Sequence, residues 1–334
     1  MAPLAFTLGV LGVLSSLSPM ALASTGCGLP LPANLKPGTS THNVTISSRS
    51  VIGKTTQREY ILYLPTNYAV SKPKPAPLIF AFHGQQQPAW SMEKISQLSD
   101  PTFNKDAIVV YPSGMDVQAP GIQWLGDVLA PNSSVIDDRI FVEEVRTRLL
   151  STLCVDEKRV YGTGISNGGS MVALLMCDKD ANKHFAALST VSGAFYPDAV
   201  MAEPLYQKDC IPDLKGRALP YMNVHGLSDK IVPYDGNSTP PFIPIRTWVD
   251  TWVARDNCDK VPATARLENG TVTDYKWKCG GRHDLVLHRT IDGYGHGWPS
   301  KTEFGEVYDV LSGGPTTWDL APYLLAWFYK WTLP

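Results

Sequence analysis

Residues 160–175 read V-Y-G-T-G-I-S-N-G-G-S-M-V-A-L-L, and this stretch is the most informative part of the sequence. The sequence runs from a strand-like segment through a sharp glycine-rich turn into an apolar segment of helical character. This is the context in which a G-x-S-x-G motif acts as a nucleophile elbow. The turn leaves room only for small residues two positions before and after the serine, and Gly164 and Gly168 fill both. The stretch therefore predicts Ser166 as a nucleophile.

A serine hydroxyl needs a base to take its proton and an acid to orient that base. In the order serine, acid, histidine, the acid is expected in the loop after a strand at Tyr221 to Val224, where Asp229 lies. Asp250 and Asp292 remain alternatives for this role. His296 follows the next strand in a loop that reads G-Y-G-H-G-W-P, and it is the predicted base.

The other histidines fit the role of base less well. His288 falls inside a predicted strand, and His42, His184 and His283 have polar neighbours in the sequence. His225 directly precedes the acid loop, so we expect it to pack in the interior or to orient that loop.

An oxyanion intermediate requires two backbone N–H donors. In an elbow of this kind, one donor comes from the residue after the serine, here Asn167, and the other from the loop after an early strand. The apolar strand that ends in Phe82-His83-Gly84 supplies such a loop. Gln85 is the predicted second donor, with Gly84 or Gln86 as alternatives.

Apolar runs of strand length alternate with helical patterns from Tyr60 onward, which predicts an α/β fold with a mainly parallel sheet covered by helices on both faces. A helix is predicted from the apolar periodicity behind Asp137-Asp138, whose carboxylates suit the helix dipole, and another over 320–331. No inserted cap, linker or repeat is evident, so residues 25–334 are expected to form one catalytic domain with a short N-terminal extension and no large lid. The predicted strands are Tyr60 to Leu64, Pro77 to Phe82, Ala107 to Tyr111, Arg159 to Gly162, Ala186 to Val191, Tyr221 to Val224 and Leu285 to Thr290.

Residues 1–24 are predicted to be a signal peptide. An apolar stretch from Pro3 to Leu22 closes on Ala21-Leu22-Ala23, the small-x-small pattern that signal peptidase cleaves. A membrane anchor is the alternative, but serines and a proline interrupt the run. We therefore expect a secreted protein with no membrane partner. The 29 basic and 31 acidic side chains give a net charge of −2, so no excess of positive charge favours nucleic acid as a partner.

Six cysteines follow the leader, and an even number in an exported chain points to disulfides. No C-x-x-C pair suggests zinc, and no metal is expected. Fifteen pairings are possible; Cys258 with Cys279 and Cys177 with Cys210 would close compact loops and leave Cys27 for Cys154. Asn-x-Ser/Thr sequons predict glycosylation at Asn43, Asn132, Asn237 and Asn269.

Taken together, these motifs resemble the fungal secreted feruloyl esterases, which are close to polyhydroxybutyrate depolymerase-like and acetyl xylan esterase proteins of the α/β-hydrolase fold. The resemblance runs from Gly26 to the end of the chain. It departs at Ser170, where a third glycine is expected, and at Leu227-Ser228 before the acid. Its further motifs are Arg58-Glu59-Tyr60, Phe82-His83-Gly84, Tyr111-Pro112-Ser113-Gly114, Cys154-Val155-Asp156, Ser166-Asn167-Gly168-Gly169, Val191-Ser192-Gly193 and His225-Gly226.

The resemblance implies release of ferulic and related hydroxycinnamic acids from feruloylated arabinoxylan or pectin, without a metal or cofactor. Ser166, Asp229 and His296 fall on the catalytic positions of that family. A planar phenolic acyl group favours an aromatic-lined cleft, for which Trp124, Trp298 and Tyr234 are the candidates.

Two other functions remain. An acetyl xylan esterase or a polyhydroxyalkanoate depolymerase would use the same scaffold and the same triad. A non-catalytic binding protein that kept the fold is a more distant alternative, which the intact serine, aspartate and histidine set disfavours.

Overall fold

A ten-stranded sheet lies at the centre of the protein, whose computed structural model describes residues 22–69, 74–116, 121–202, 205–206 and 210–334. Residues 1–21 of the predicted signal peptide lie outside this part of the chain. The strands are β1 (Thr39–Ser48), β2 (Thr56–Leu64), β3 (Ala76–Phe82), β4 (Ile108–Pro112), β5 (Val155–Ile165), β6 (Ala187–Val191), β7 (Tyr221–Gly226), β8 (Asn237–Ser238), β9 (Pro241–Phe242), β10 (Ala263–Leu267), β11 (Val272–Cys279) and β12 (Arg282–Ile291).

The sheet order is β1-β2-β4-β3-β5-β6-β7-β12-β11-β10, and β8 pairs separately with β9. The six central strands, from β4 to β12 in this order, pair in parallel, and the two strands at either edge pair antiparallel. The helices are α1 (Ala89–Ser96), α2 (Asp138–Thr152), α3 (Asn167–Cys177), α4 (Ile245–Arg255), α5 (Glu306–Ser312) and α6 (Leu320–Phe328).

All seven predicted strands are present, within about two residues except at β2, β5 and β12, which extend further. Every residue of β3, β4, β6 and β7 is buried, as expected for parallel strands covered on both faces. The sequence did not predict β1, β10 or β11. Their residues alternate between exposed and half-buried positions or carry many polar side chains, so they lack the continuous apolar run of a central strand.

Helix α2 begins at the predicted acidic pair, but the two carboxylates have different roles. Asp137 caps the helix by accepting a hydrogen bond from the Arg139 N–H at 3.0 Å. Asp138 is fully buried, and its Oδ1 atom lies 2.8 Å from a guanidinium nitrogen of Arg58. Its Oδ2 atom accepts the Leu125 N–H at 2.8 Å. The second carboxylate therefore joins β2, α2 and the loop at Leu125 instead of serving only the helix dipole.

Three disulfides form with the pairing expected from loop compactness: Cys27–Cys154, Cys177–Cys210 and Cys258–Cys279. The first joins the N-terminal extension to the start of β5. Beside it, the Ser24 hydroxyl donates to the Leu153 carbonyl at 2.7 Å and accepts the Val155 N–H at 3.0 Å. The extension is therefore held against the sheet by both a covalent bond and hydrogen bonds.

The carboxyl ends of the parallel strands meet at one edge of the sheet. The loops that follow β3, β5, β7 and β12 hold the predicted oxyanion loop, serine, acid and histidine, in that order. An open α/β sheet binds its ligands at this edge. Across the described ranges, no helix has the length and apolar character needed to cross a lipid bilayer.

Candidate active site

Ser166 occupies the sharp turn between β5 and α3. Its backbone angles, φ 57° and ψ −122°, are unusual for a residue with a side chain. The turn is held because the Ser166 N–H donates to the Val191 carbonyl at 3.1 Å, while the Ser166 carbonyl accepts the Ala194 N–H at 3.2 Å. The turn therefore has the geometry of a nucleophile elbow.

The two glycines that flank Ser166 leave no space for a side chain. A Cβ atom on Gly164 would lie 2.3 Å from the Gly168 carbonyl oxygen, and one on Gly168 would lie 2.2 Å from the Phe82 carbonyl oxygen. Ser170 stands where a third glycine is expected, and it is accommodated because its buried hydroxyl donates to the Ala194 carbonyl.

Asp229 and His296 meet across the loops that follow β7 and β12. The His296 Nδ1 atom lies 2.8 Å from the Asp229 Oδ2 atom, and both side chains are buried. The Asp229 Oδ1 atom accepts the N–H groups of Ile231 and Val232 at 2.9 and 2.8 Å. Both carboxylate oxygens therefore have fixed partners, which hold the imidazole in one orientation.

The electrostatics of this pair favour an ionised acid. Burial opposes ionisation of Asp229, but hydrogen bonds from His225 and His296 outweigh it, so the pKa of the carboxyl is well below its usual range. The two alternative acids lie elsewhere, because Asp250 pairs with Arg246 on the surface and Asp292 pairs with Arg266. Asp229 is therefore the carboxylate that the fold brings to His296.

Ser166 and His296 line one cavity of about 180 Å³. Because the His296 Nδ1 atom is engaged by Asp229, the Nε2 atom is the nitrogen left to exchange a proton in this cavity. The other lining residues are Gly84, Gln85, Gln87, Ser91, Ile95, Ile165, Ile231, Gly297, Val307, Tyr308 and Leu311.

The predicted oxyanion donors lie on either side of the serine. Asn167 is the first residue of α3, where backbone N–H groups have no acceptor within the helix. Gln85 lines the cavity, whereas the Gln86 N–H donates to the Ile122 carbonyl at 2.6 Å. The engaged Gln86 N–H leaves Gln85, or Gly84 before it, as the second donor.

Known proteins resemble the chain in both sequence and fold. Feruloyl esterase D of Neurospora crassa is 31% identical over 198 residues, which cover 54% of this chain and 58% of that protein. Probable feruloyl esterase C of Aspergillus oryzae is 28% identical over 202 residues, covering 56% and 61%. The chain thus spans about three-fifths of the length of these curated relatives. No family model matches the chain.

Among solved structures, an acetyl xylan esterase from Aspergillus awamori superimposes with a TM-score of 0.56 at 15% identity, over 87% of this chain and 99% of that one. The chain has the α/β-hydrolase fold. An S-formylglutathione hydrolase from Agrobacterium tumefaciens gives a TM-score of 0.53 at 12% identity, over 90% and 99%. In sequence, the chain resembles feruloyl esterases.

His83 supports the predicted oxyanion loop, a role that its position in the sequence did not indicate. Its Nε2 atom accepts the Gly114 N–H at 2.9 Å, so its Nδ1 atom carries the proton and donates to the Gly84 carbonyl at 2.8 Å. Burial lowers the pKa of His83 to about 4, although the bond to Gly84 acts in the opposite direction. The neutral ring therefore holds the loop next to Gln85 in place.

The structure corrects the prediction that Trp124 contacts the substrate. Its indole is fully buried, and the Nε1–H donates to the His83 carbonyl at 3.0 Å. Its backbone N–H donates to the Asn167 Oδ1 atom at 2.8 Å. Trp124 thus braces the oxyanion loop against the residue that follows the nucleophile, and it has no surface for a substrate.

Asp127 makes a further contact with Asn167, the first residue of α3. Its Oδ2 atom accepts from the Tyr196 hydroxyl at 3.1 Å and lies 3.4 Å from the Asn167 Nδ2 atom. Burial raises the pKa of Asp127, while its hydrogen bonds partly oppose that shift. No local sequence pattern indicates this contact, since it joins side chains 40 residues apart.

The other two predicted aromatic contacts also lie outside the wall of the Ser166 cavity. Trp298 is 3% exposed and borders a small neighbouring cavity of about 20 Å³. Tyr234 points away, because its hydroxyl lies 2.9 Å from the His288 Nε2 atom and its ring stacks on that imidazole.

The four sequons differ in accessibility. Asn43, Asn237 and Asn269 are exposed, while Asn132 is half-buried and its Oδ1 atom accepts the Ser134 N–H at 3.1 Å. Three of the four side chains are thus open to a glycosyltransferase, and glycosylation stays a prediction.

Proposed function

We propose that this chain is a secreted serine esterase that releases ferulic and related hydroxycinnamic acids from plant cell-wall polysaccharides such as arabinoxylan or pectin. One observation carries the proposal: Ser166 and His296 line a single cavity, and Asp229 binds the His296 Nδ1 atom at 2.8 Å. These are the parts of a serine acyl-transfer site.

In the proposed mechanism, His296 takes the hydroxyl proton as the Ser166 oxygen attacks the ester carbonyl. The N–H groups of Gln85 and Asn167 stabilise the oxyanion of the tetrahedral intermediate. His296 then returns the proton to the sugar oxygen, the alcohol leaves, and an acyl-enzyme remains. Water, activated by the same imidazole, releases the acid while Asp229 stays ionised throughout.

The size and the lining of the cavity support an acyl group larger than acetyl. Its volume of about 180 Å³ is below the 300–1,000 Å³ typical of sites for drug-sized ligands, so it suits one small acyl chain and not a polymer. Its apolar wall is formed by Ile95, Ile165, Ile231, Val307 and Leu311. Such a wall favours a planar hydrocarbon group over the methyl of an acetyl ester.

An acetyl xylan esterase is the second candidate, favoured by the fold comparison with the Aspergillus awamori enzyme. A relative named bifunctional acetylxylan esterase/xylanase, from Neocallimastix patriciarum, is 24% identical over 76% of this chain and 33% of that protein. The triad is common to both candidates, so only the acyl group distinguishes them. A polyhydroxyalkanoate depolymerase would differ in the same respect.

An extracellular location is part of the proposal. The three disulfides are typical of proteins that fold in an oxidising compartment. We assign the polysaccharide as the partner on the alcohol side of the ester, and the proposed mechanism requires no metal or cofactor.

The experiment that tests the proposal measures ferulic acid released from methyl ferulate and from feruloylated arabinoxylan by the purified protein and by Ser166→Ala. We expect release by the wild type and a loss of roughly a million-fold in the variant. Hydrolysis of acetyl or hydroxybutyrate esters with no action on either ferulate would contradict the proposed acyl specificity but leave the assignment of the triad intact. Equal activity of the two proteins would overturn the nucleophile.

A further inference from the structure

The Ser166 cavity contains one pair of hydrogen-bonded polar side chains that the proposed mechanism does not use. Gln87 precedes α1 and Tyr308 lies on α5, yet the Tyr308 hydroxyl donates to the Gln87 Oε1 atom at 2.9 Å inside the lining of the Ser166 cavity. The pair joins elements 221 residues apart in sequence. A polar contact of this kind in an apolar pocket typically fixes the orientation of a ligand.

The hydrogen bond between the two side chains leaves complementary groups free. The Gln87 Oε1 atom receives the tyrosine proton, and its Nε2 amino group keeps two N–H donors, for which the described part of the chain shows no acceptor. The Tyr308 oxygen has given its own proton and retains lone pairs that can accept. The pair therefore offers the cavity one donor and one acceptor side by side.

Ser91, another polar side chain of the wall, has its proton committed elsewhere. The Ser91 hydroxyl donates to the Pro88 carbonyl at 2.7 Å, so its proton is already committed within the turn that begins α1. Gln87 is anchored in the preceding turn, because its backbone N–H donates to the Gly84 carbonyl at 3.2 Å. The amide is thus held by the loop that also carries the predicted oxyanion donor.

Helix α5 connects Tyr308 to the catalytic base. The loop that carries His296 is tied to the end of this helix, because the His296 N–H donates to the Leu311 carbonyl and the Gly295 N–H donates to the Ser312 carbonyl, both at 2.7 Å. Since Gln87 is fixed to the oxyanion loop and Tyr308 to the base loop, the pair has a fixed position relative to the reacting carbonyl.

We propose that Gln87 and Tyr308 recognise the ring hydroxyl of a 4-hydroxycinnamoyl ester, an inference that rests on the proposed function and assigns its acyl specificity. A phenol donates one hydrogen bond and accepts another, which matches both free groups of the pair. A methyl ether can only accept, and an unsubstituted ring can do neither. The chain therefore selects acyl groups by the free hydroxyl and not by the aromatic ring alone.

The test compares kcat/KM for methyl 4-hydroxycinnamate, methyl 4-methoxycinnamate and methyl cinnamate, using the wild type, Tyr308→Phe and Gln87→Met. We expect the wild type to prefer the hydroxylated ester over the unsubstituted one by roughly tenfold, the value of one net hydrogen bond. Both variants should lose most of this preference, measured within each protein as the ratio of kcat/KM for methyl 4-hydroxycinnamate to kcat/KM for methyl cinnamate. Tyr323→Phe is the matched control, because its hydroxyl binds Glu268 on an exposed surface and the preference should persist.

The outcomes separate this inference from the function on which it rests. Hydrolysis of all three esters at equal rates by the wild type, or a preference that survives in both variants, overturns the assignment of Gln87 and Tyr308 but leaves the cinnamoyl esterase intact. Hydrolysis of p-nitrophenyl acetate without action on any cinnamate overturns the proposed function, and the inference with it. Two variants with unrelated side chains keep the test decisive if one of them fails to fold.

Discussion

The His225 Nε2 atom lies 3.3 Å from the Asp229 Oδ2 atom, the same oxygen that the catalytic-base candidate His296 contacts at 2.8 Å. His225 is fully buried, and its Nε2 atom also lies 2.8 Å from the Val232 carbonyl. Because both neighbours are acceptors, this nitrogen must carry a proton. His225 is therefore placed to position the acid by donating to the oxygen that also contacts His296.

Removal of the His225 donor should weaken catalysis without affecting substrate binding. We expect His225→Leu to lower kcat roughly tenfold, the value of a hydrogen bond to a charged group, with KM nearly unchanged. His225→Gln keeps a side-chain N–H and should recover part of the rate. Steady-state kinetics with methyl ferulate or p-nitrophenyl acetate provide the measurement. Equal rates for the two variants would show that His225 only fills space.

Replacement of single aspartates should distinguish Asp229 from Asp250 and Asp292, the two alternatives for the acid. Asp229→Asn keeps the shape of the side chain but no longer holds His296 in the productive tautomer, so kcat should fall by roughly 10⁴-fold. Asp250→Asn is the matched control, because its carboxylate pairs with Arg246 and is half-exposed. A large loss of kcat in Asp250→Asn, or no loss in Asp229→Asn, would show that Asp229 is not the acid of the triad.

The sequence predicts the centre of the sheet better than its edges. Central strands such as β3 and β6 are buried on both faces and read as continuous apolar runs, which the sequence displays directly. The strands β1 and β10 have many exposed residues, and only their pairing with a neighbouring strand makes them strands. Tertiary context of this kind leaves little trace in a local pattern.

The same distinction applies to the site. The serine, acid and base could be predicted because each follows a recognisable strand in a loop with glycine nearby. The side chains that contact one another from distant segments could not, as Gln87 with Tyr308 and Asp127 with Asn167 illustrate. For Trp124 the sequence shows a large aromatic residue but not which way it faces, and the fold buries it.

The elbow glycine should be a determinant of stability. Gly168→Ala would place a methyl group 2.2 Å from the Phe82 carbonyl oxygen, which is backbone of β3 and cannot rotate away. Overpacking of this kind destabilises a fold by about 1–3 kcal/mol. Urea denaturation followed by far-UV circular dichroism measures the difference. An unchanged unfolding midpoint would mean that α3 can shift away from the sheet, in which case activity should fall instead.

Acid should destabilise the fold through its buried neutral histidines. Burial is the main cause that lowers the pKa of His288 to about 3, and electrostatic repulsion from the neighbouring His225 and Arg246 acts in the same direction. An unfolded histidine takes up its proton near pH 6.5, whereas the folded one stays neutral until the pH falls much lower. Unfolding at pH 5 therefore takes up a proton, and stability declines as the pH falls from about 6.5 toward 3.

The variant His288→Asn removes that proton uptake while it leaves His83 in place. Between pH 6 and 4, the slope of unfolding free energy against pH should become shallower by up to about 1.4 kcal/mol per pH unit, the value for one proton. The measurement is a series of urea titrations at fixed ionic strength. A slope that His288→Asn leaves unchanged would show that His288 becomes protonated in the folded state, with Tyr234 or solvent rearranged to accept its proton.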